Sequence, residues 1–201
     1  CPPPIYQCAG TIPTPVNTDV YKGHAPVDNN NASVSGSNYE NLAADQTPIT
    51  TAVTDVQDTT TVVLSATPSD AEGGTIIYTA TVASPVTGSP VVVTLSNGQS
   101  ITIAVGQTSG TVNTPVSNDV YQGHAPVTAN ITTVSGGSFE NLVANQAPVT
   151  TQVTDVQDTT TVVLSATPSV AEGGTIVYTA TVASPVTGSP VVVTLSNGQS
   201  I

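Results

Sequence analysis

The chain has 201 residues, enough for two units of about 100 residues each. One basic residue (Lys22) stands against 13 acidic ones, a formal net charge of −12. That balance excludes nucleic acid, which needs a basic face, and argues equally against an anionic membrane surface. Charged residues make up only 7% of the chain, against about 25% in an average soluble protein. Thr, Val and Ser dominate, and β-branched side chains favour strands.

No apolar run approaches the roughly 20 residues of a membrane span, so direct membrane insertion is not expected. The chain contains no Met, which suits a processed chain or an excerpt of a longer one. Residues 1–10 hold Cys1 and Cys8. Two readings are open for them: a disulfide closing a small loop around Pro2-Pro3-Pro4, or two unpaired thiols. The remainder contains no Cys, so redox chemistry does not hold it together.

The sequence repeats with an offset of 100 residues. Between 51–100 and 151–200 only three positions differ: Ala52/Gln152, Asp70/Val170 and Ile77/Val177. The offset resumes at Thr11, so only 1–10 are atypical. A period that long is domain-sized, and the chain reads as a tandem array of one folding unit.

In chain order, the strands of one full copy are expected at Thr60–Ala66, Thr75–Ala83, Val91–Leu95, Ser100–Val105, Gly110–Val116, Pro126–Val134 and Ala147–Val153. The first two alternate strictly, and Asn97-Gly98 between the third and fourth is a strong hairpin signal. The alternation argues against disorder. Seven short strands without helical periodicity predict an all-β fold of tandem immunoglobulin-like Greek-key sandwiches. Tyr78, Tyr121 and Phe139 are the expected large core side chains. The phase gives a complete repeat at 56–155, the C-terminal part of a preceding one at 1–55 and the N-terminal part of a following one at 156–201. Half a sandwich exposes its core face and edges. Either the array continues on both sides, or the tail of one chain completes the head of the next.

In a seven-strand sandwich alternate loops share an end. One end should then collect Glu72, Asp119, Asp155 and Asp158, beside the exit to the next copy. The preceding junction offers Asp19, Asp55 and Asp58; the following one offers Glu172. Such acids serve turns in solvent, or they hold a cation. Ca2+, which takes six to eight oxygen ligands, is the natural candidate. Asp70 stands near the first set, but position 170 is Val, so it is not essential to the design. His24 and His124 read as hydrogen-bonded turn residues, and Glu40 and Glu140 as residues that pin a long loop. Asn31-Ala32-Ser33 and Asn130-Ile131-Thr132 are sequons by pattern only. Nothing resembles a nucleophile elbow, a phosphate loop or a metalloprotease motif, so an enzyme is not expected.

T-P-S-V-A-E-G-G-T-I-V-Y-T-A-T-V, V-V-V-T-L-S-N-G-Q-S-I-T-I-A-V-G-Q-T-S-G-T-V, N-D-V-Y and G-G-S-F-E-N-L together resemble the immunoglobulin-like tandem repeats of giant bacterial surface adhesins, the RTX-type and biofilm-associated proteins exported by type I secretion. The resemblance covers residues 11–201. A-E-G-G-T and G-Q-T-S-G-T-V bear a looser likeness to Calx-β domains. The first resemblance implies an extracellular, cell-surface extender: a rod, stiffened by calcium at its junctions, that supports adhesion and biofilm formation. The partners it implies are neighbouring repeats. The alternative is an extracellular filament whose subunits assemble head to tail by completing half domains.

Overall fold

The computed structural model describes residues 10–36 and 38–201; Cys1 and Cys8 lie outside them. All regular structure among the described residues is β, and the fold is an all-β sandwich, as expected. In chain order, β1 (Val27–Asn29) and β2 (Ile49–Thr51) form a short antiparallel ladder. There follow β3 (Thr59–Ala66), β4 (Ser69–Ala71), β5 (Thr75–Thr81), β6 (Val91–Leu95) and β7 (Ser100–Ile103). After them come β8 (Ser109–Pro115), β9 (Val127–Ala129), β10 (Ile131–Ser135), β11 (Asn141–Ala144) and β12 (Val149–Thr154). The last two are β13 (Val163–Ala166) and β14 (Tyr178–Thr181), again an antiparallel ladder. The larger sheets have the orders β11-β3-β5-β8, β10-β6-β7 and β4-β12-β9.

The reasons for these elements are local. β3 alternates buried and exposed residues, with Val62 and Leu64 inward. β5 does the same with Ile76, Tyr78 and Ala80. Period-2 patterning of this kind fixes register, because a one-residue slip would turn every apolar side chain to solvent. The β6–β7 hairpin turns at Asn97-Gly98, where Gly98 takes φ +82° and the Asn97 carboxamide oxygen accepts the Gln99 N–H.

Three features depart from the expected strands, the first being β4, where no strand was expected. The sixth expected strand is two: β9 pairs in one sheet and β10 in another, with the break at Asn130. There Asn130 and Ser96 exchange two bonds, Ser96 N–H to the Asn130 carbonyl and Asn130 N–H to the Ser96 hydroxyl. The stretch expected as a long loop contains β11, which runs parallel to β3 from Asn141 opposite Thr59. Pro68, which has no N–H to give a ladder, separates β3 from β4.

The chain divides into two compact units, Cys1–Ser65, Thr79–Val112 and Ala129–Pro148 in one, Ala66–Tyr78, Asn113–Thr128 and Val149–Ile201 in the other. In the first, Val62, Val91, Ile101, Ile131 and Phe139 are buried. In the second, Ile76, Tyr78 and Val116 are buried. Tyr78 and Phe139 are thus core side chains, as expected. Tyr121 is not: it is half-buried, and its ring carries a hydroxyl that reaches the next copy.

Candidate junction site

Each unit contains one joint between successive copies, and the two joints use the same bonds. In the first unit, the Asp19 carboxylate accepts the Tyr21 N–H at 2.8 Å, closing a tight turn. Asp55 accepts the Gly23 N–H at 3.2 Å, which ties the segment between β2 and β3 to that turn. One period later Asp119 accepts from Tyr121 N–H at 2.8 Å, and Asp155 from Gly123 N–H at 3.0 Å. The tyrosine that these turns project bridges forward. Tyr21 donates its hydroxyl to the Pro85 carbonyl at 2.7 Å, and Tyr121 to the Pro185 carbonyl at 2.9 Å.

The first joint has a further part. The Tyr21 ring stacks on Phe139, with centroids 5.5 Å apart and planes 28° from parallel. Backbone bonds flank the stack: Lys22 N–H to the Ser138 carbonyl at 2.8 Å, and Glu140 N–H to the Val20 carbonyl at 3.1 Å. Together they make a one-residue antiparallel bridge between copies, Tyr21 opposite Phe139.

Glu140 belongs to this joint, which the sequence reading did not assign to it. One carboxylate oxygen accepts the Asp58 N–H, and the other is buried without a partner. The Asp58 N–H holds the Glu140 carboxyl down. Lost solvent and the neighbouring Asp55 and Asp58 carboxylates push it up further, and the net direction is upward. The available signal was periodicity: Glu40 and Glu140 each follow an aromatic residue at the same offset as the aspartates.

In the second unit the four acids expected together are tied to one set of loops. The Glu72 N–H donates to the Thr154 carbonyl at 3.0 Å, next to Asp155. Asp158 accepts from the Asn118 carboxamide at 3.1 Å, next to Asp119. Asp119 and Asp155 hold the same turn, as above. Glu72 differs from the other three. Its residue is 4% exposed, and both carboxylate oxygens are buried without a hydrogen-bond partner. Asp70 instead closes the A-E-G-G turn, accepting from Ala71 N–H at 2.9 Å and Thr75 N–H at 2.7 Å. Glu172, in the following copy, is exposed.

His24 is a turn residue, as expected: its two ring nitrogens face the Ala25 and Asn17 carbonyls at 3.1 and 3.3 Å. Two acceptors favour the doubly protonated ring, so its pKa is raised. His124 likewise faces the Ala125 carbonyl at 2.8 Å.

What these groups offer a cation is oxygen alone. Among the described residues, no three His, Cys, Asp or Glu side chains gather closely enough to hold a metal ion as placed. An ion at either joint would therefore take one or two carboxylates, and draw its remaining ligands from backbone carbonyls and water. Ca2+ accepts such a mixed set. The unpartnered oxygens of Glu72 and Glu140 fit it, since a buried carboxylate oxygen without a donor is costly until something positive meets it.

No curated protein and no solved structure matches the chain. A family model described as the LapA domain matches residues 58–156 and again 158–201. Two consecutive matches covering more than half the sequence settle the family: the chain belongs to the LapA domain family.

Proposed function

We propose that these repeats are extender segments of an extracellular bacterial adhesin: immunoglobulin-like units joined into a rod, stiffened by calcium, that supports adhesion and biofilm formation at the cell surface. The observation that carries the proposal is the recurrence of one joint. Asp19, Tyr21, Gly23, Asp55 and Pro85 make the bonds that Asp119, Tyr121, Gly123, Asp155 and Pro185 make again, 100 residues later. A catalytic site seldom needs copying at that interval. A spacer does, because its length is copy number times unit length and its stiffness is set at the joints.

Calcium enters through the acids. One or two of Glu72, Asp119, Asp155 and Asp158 would hold the ion at one joint, and one or two of Asp19, Asp55, Asp58 and Glu140 at the other; Glu172 would serve the next. The bound ion would neutralise like charges that otherwise repel, and would lock loops that otherwise flex. The test is small-angle scattering and thermal melting with calcium and with chelator. Chelation should broaden the distribution of inter-repeat distances and lower the melting temperature. Identical profiles and melts in both conditions would rule out the calcium role.

A further inference from the structure

One bond of the second joint has no counterpart in the first. The Asn118 carboxamide donates to the Asp158 carboxylate at 3.1 Å. One period earlier the corresponding residues are Thr18 and Asp58, and there Asp58 is bonded through its N–H to Glu140 instead. The aspartates, tyrosine and glycine of the two joints are the same residues, so position 118 is where the copies differ.

Asn118 stands between two of the acids of its joint. Its NH2 group is turned to Asp158, and its side chain lies over Gly73, the neighbour of Glu72 in the A-E-G-G turn. A Cβ on Gly73 would come within 3.7 Å of the Asn118 Cβ and 3.9 Å of its Oδ1. Among the described residues no donor reaches that Oδ1. Glu72 is held through its N–H to the Thr154 carbonyl, and both its carboxylate oxygens are buried without a partner. All of these residues belong to the second compact unit. The turn and the loop against it thus bring a buried carboxylate without a donor, a free carboxamide oxygen, and a second carboxylate tied to the other arm of that carboxamide. The one basic side chain of the chain, Lys22, belongs to the first unit. Two anionic oxygen donors with a neutral one between them suit a hard divalent cation. A buried carboxylate without a donor is costly until such a charge meets it.

We infer that the calcium ion of this joint is anchored on Glu72 and that Asn118 sets how tightly it is held. The Asn118 carboxamide oxygen joins the shell of the ion, while its NH2 keeps Asp158 turned to the same ion. The inference rests on the calcium reading of the joints, and adds that the joints of one array are unequal. Threonine, as at Thr18, has one oxygen on a shorter arm in place of a separate donor and acceptor. Joints with Asn fill at lower calcium than joints with Thr, so falling calcium loosens the array at its Thr joints first.

The test is isothermal titration of the 201-residue chain with calcium, which counts ions and measures their affinities. Glu72→Leu should remove one ion from the count. Asn118→Thr should keep the count and weaken one affinity by about 10–100-fold, as loss of a group that orients a metal ligand does. Added to Glu72→Leu, Asn118→Thr should change nothing further, because both act on one ion. Melting in chelator should be the same for Asn118→Thr as for wild type, since Asn118 is exposed and a purely structural role would lower it. An Asn118→Thr chain with wild-type affinities would overturn the inference. So would a Glu72→Leu chain that binds the full count, or a second loss of affinity in the double variant. In each of those cases calcium still binds and the extender reading stands, whereas a wild-type chain that binds no calcium would overturn both.

Discussion

Glu72→Leu separates a structural role for the buried carboxylate from a ligand role, because the two predict opposite signs. Glu72 is 4% exposed, and neither oxygen has a hydrogen-bond partner. An unsatisfied buried polar group costs about 1–3 kcal/mol. In chelator, replacing the carboxylate by an aliphatic side chain of similar reach should therefore stabilise the protein by about that much. For a domain of this size each kcal/mol raises the melting temperature by about 4–8 °C. With calcium the order should reverse. A ligand present at a hundred times its dissociation constant contributes about 2.7 kcal/mol to the folded state. The wild-type protein gains this and the variant loses most of it. Differential scanning calorimetry of both proteins, with chelator and with excess calcium, gives four melting temperatures. The expected pattern is variant above wild type without calcium and below it with calcium. A variant less stable by the same amount in both conditions would show that Glu72 supports the A-E-G-G turn and holds no ion.

Other outcomes follow from single contacts. Tyr21→Phe removes the bond to the Pro85 carbonyl and should cost about 0.5–1.5 kcal/mol in urea melts; Phe139→Ala removes a stacked, buried ring and should cost about 3–5 kcal/mol. Gly136→Ala should be more disruptive than its size suggests, since Gly136 takes φ +91° and a Cβ there would lie 2.1 Å from the Pro90 carbonyl oxygen; loss of soluble folded protein is the expected readout. Glu140 is raised above its ordinary 4.5 in the folded state, so its contribution is fully present below that value and is lost as pH rises through the folded one. In chelator, melting should thus fall as pH climbs out of the carboxylate range, and Glu140→Gln should flatten that dependence. Val170→Asp should restore the two turn bonds that Asp70 makes, protecting the Thr175 amide from hydrogen exchange.

Much of the sandwich was legible because its strands alternate. The inward residues of β3, β5 and β6 are those that period 2 selects, and Asn97-Gly98 marks its hairpin without help from the rest of the chain. Three elements were not legible, the first being β4, whose three residues are too few to show an alternation. β11 pairs in parallel with a strand some 80 residues earlier, and N-L-V-A carries no local mark of that partner. The split at Asn130 follows from which sheet each half joins, which is decided by tertiary pairing with β12 and β6. At the joint, assigning loops to ends predicted Glu72 and the three aspartates together; their loops are hydrogen-bonded to one another, but no three of the carboxylates gather closely enough to hold an ion as placed. That assignment also set Glu140 apart from them, but gave it the task of pinning a loop. What periodicity alone could not say is that the Glu140 carboxylate reaches back to the Asp55–Asp58 segment of the link before it. Tyr121 was misassigned for a related reason: an aromatic residue in an isolated repeat has only its own core to fill, whereas in an array it has a neighbour.

The chain carries its own control for how far local sequence determines structure. T-T-T-V-V-L-S-A forms an eight-residue strand at Thr59–Ala66, and the same letters form a four-residue one at Val163–Ala166. Propensity, pattern and hairpin chemistry are equal in the two copies. What differs is β8, β10 and β11, which cover the first copy and are supplied by the residues that follow it. The central repeat is covered by these later strands, and its joint is made by the F-E-N-L segment that leads into the last of them, β11. Phe139 and Glu140 therefore serve both: the segment that leads into β11, the parallel partner of β3, also stacks on Tyr21 and bonds the Asp58 N–H.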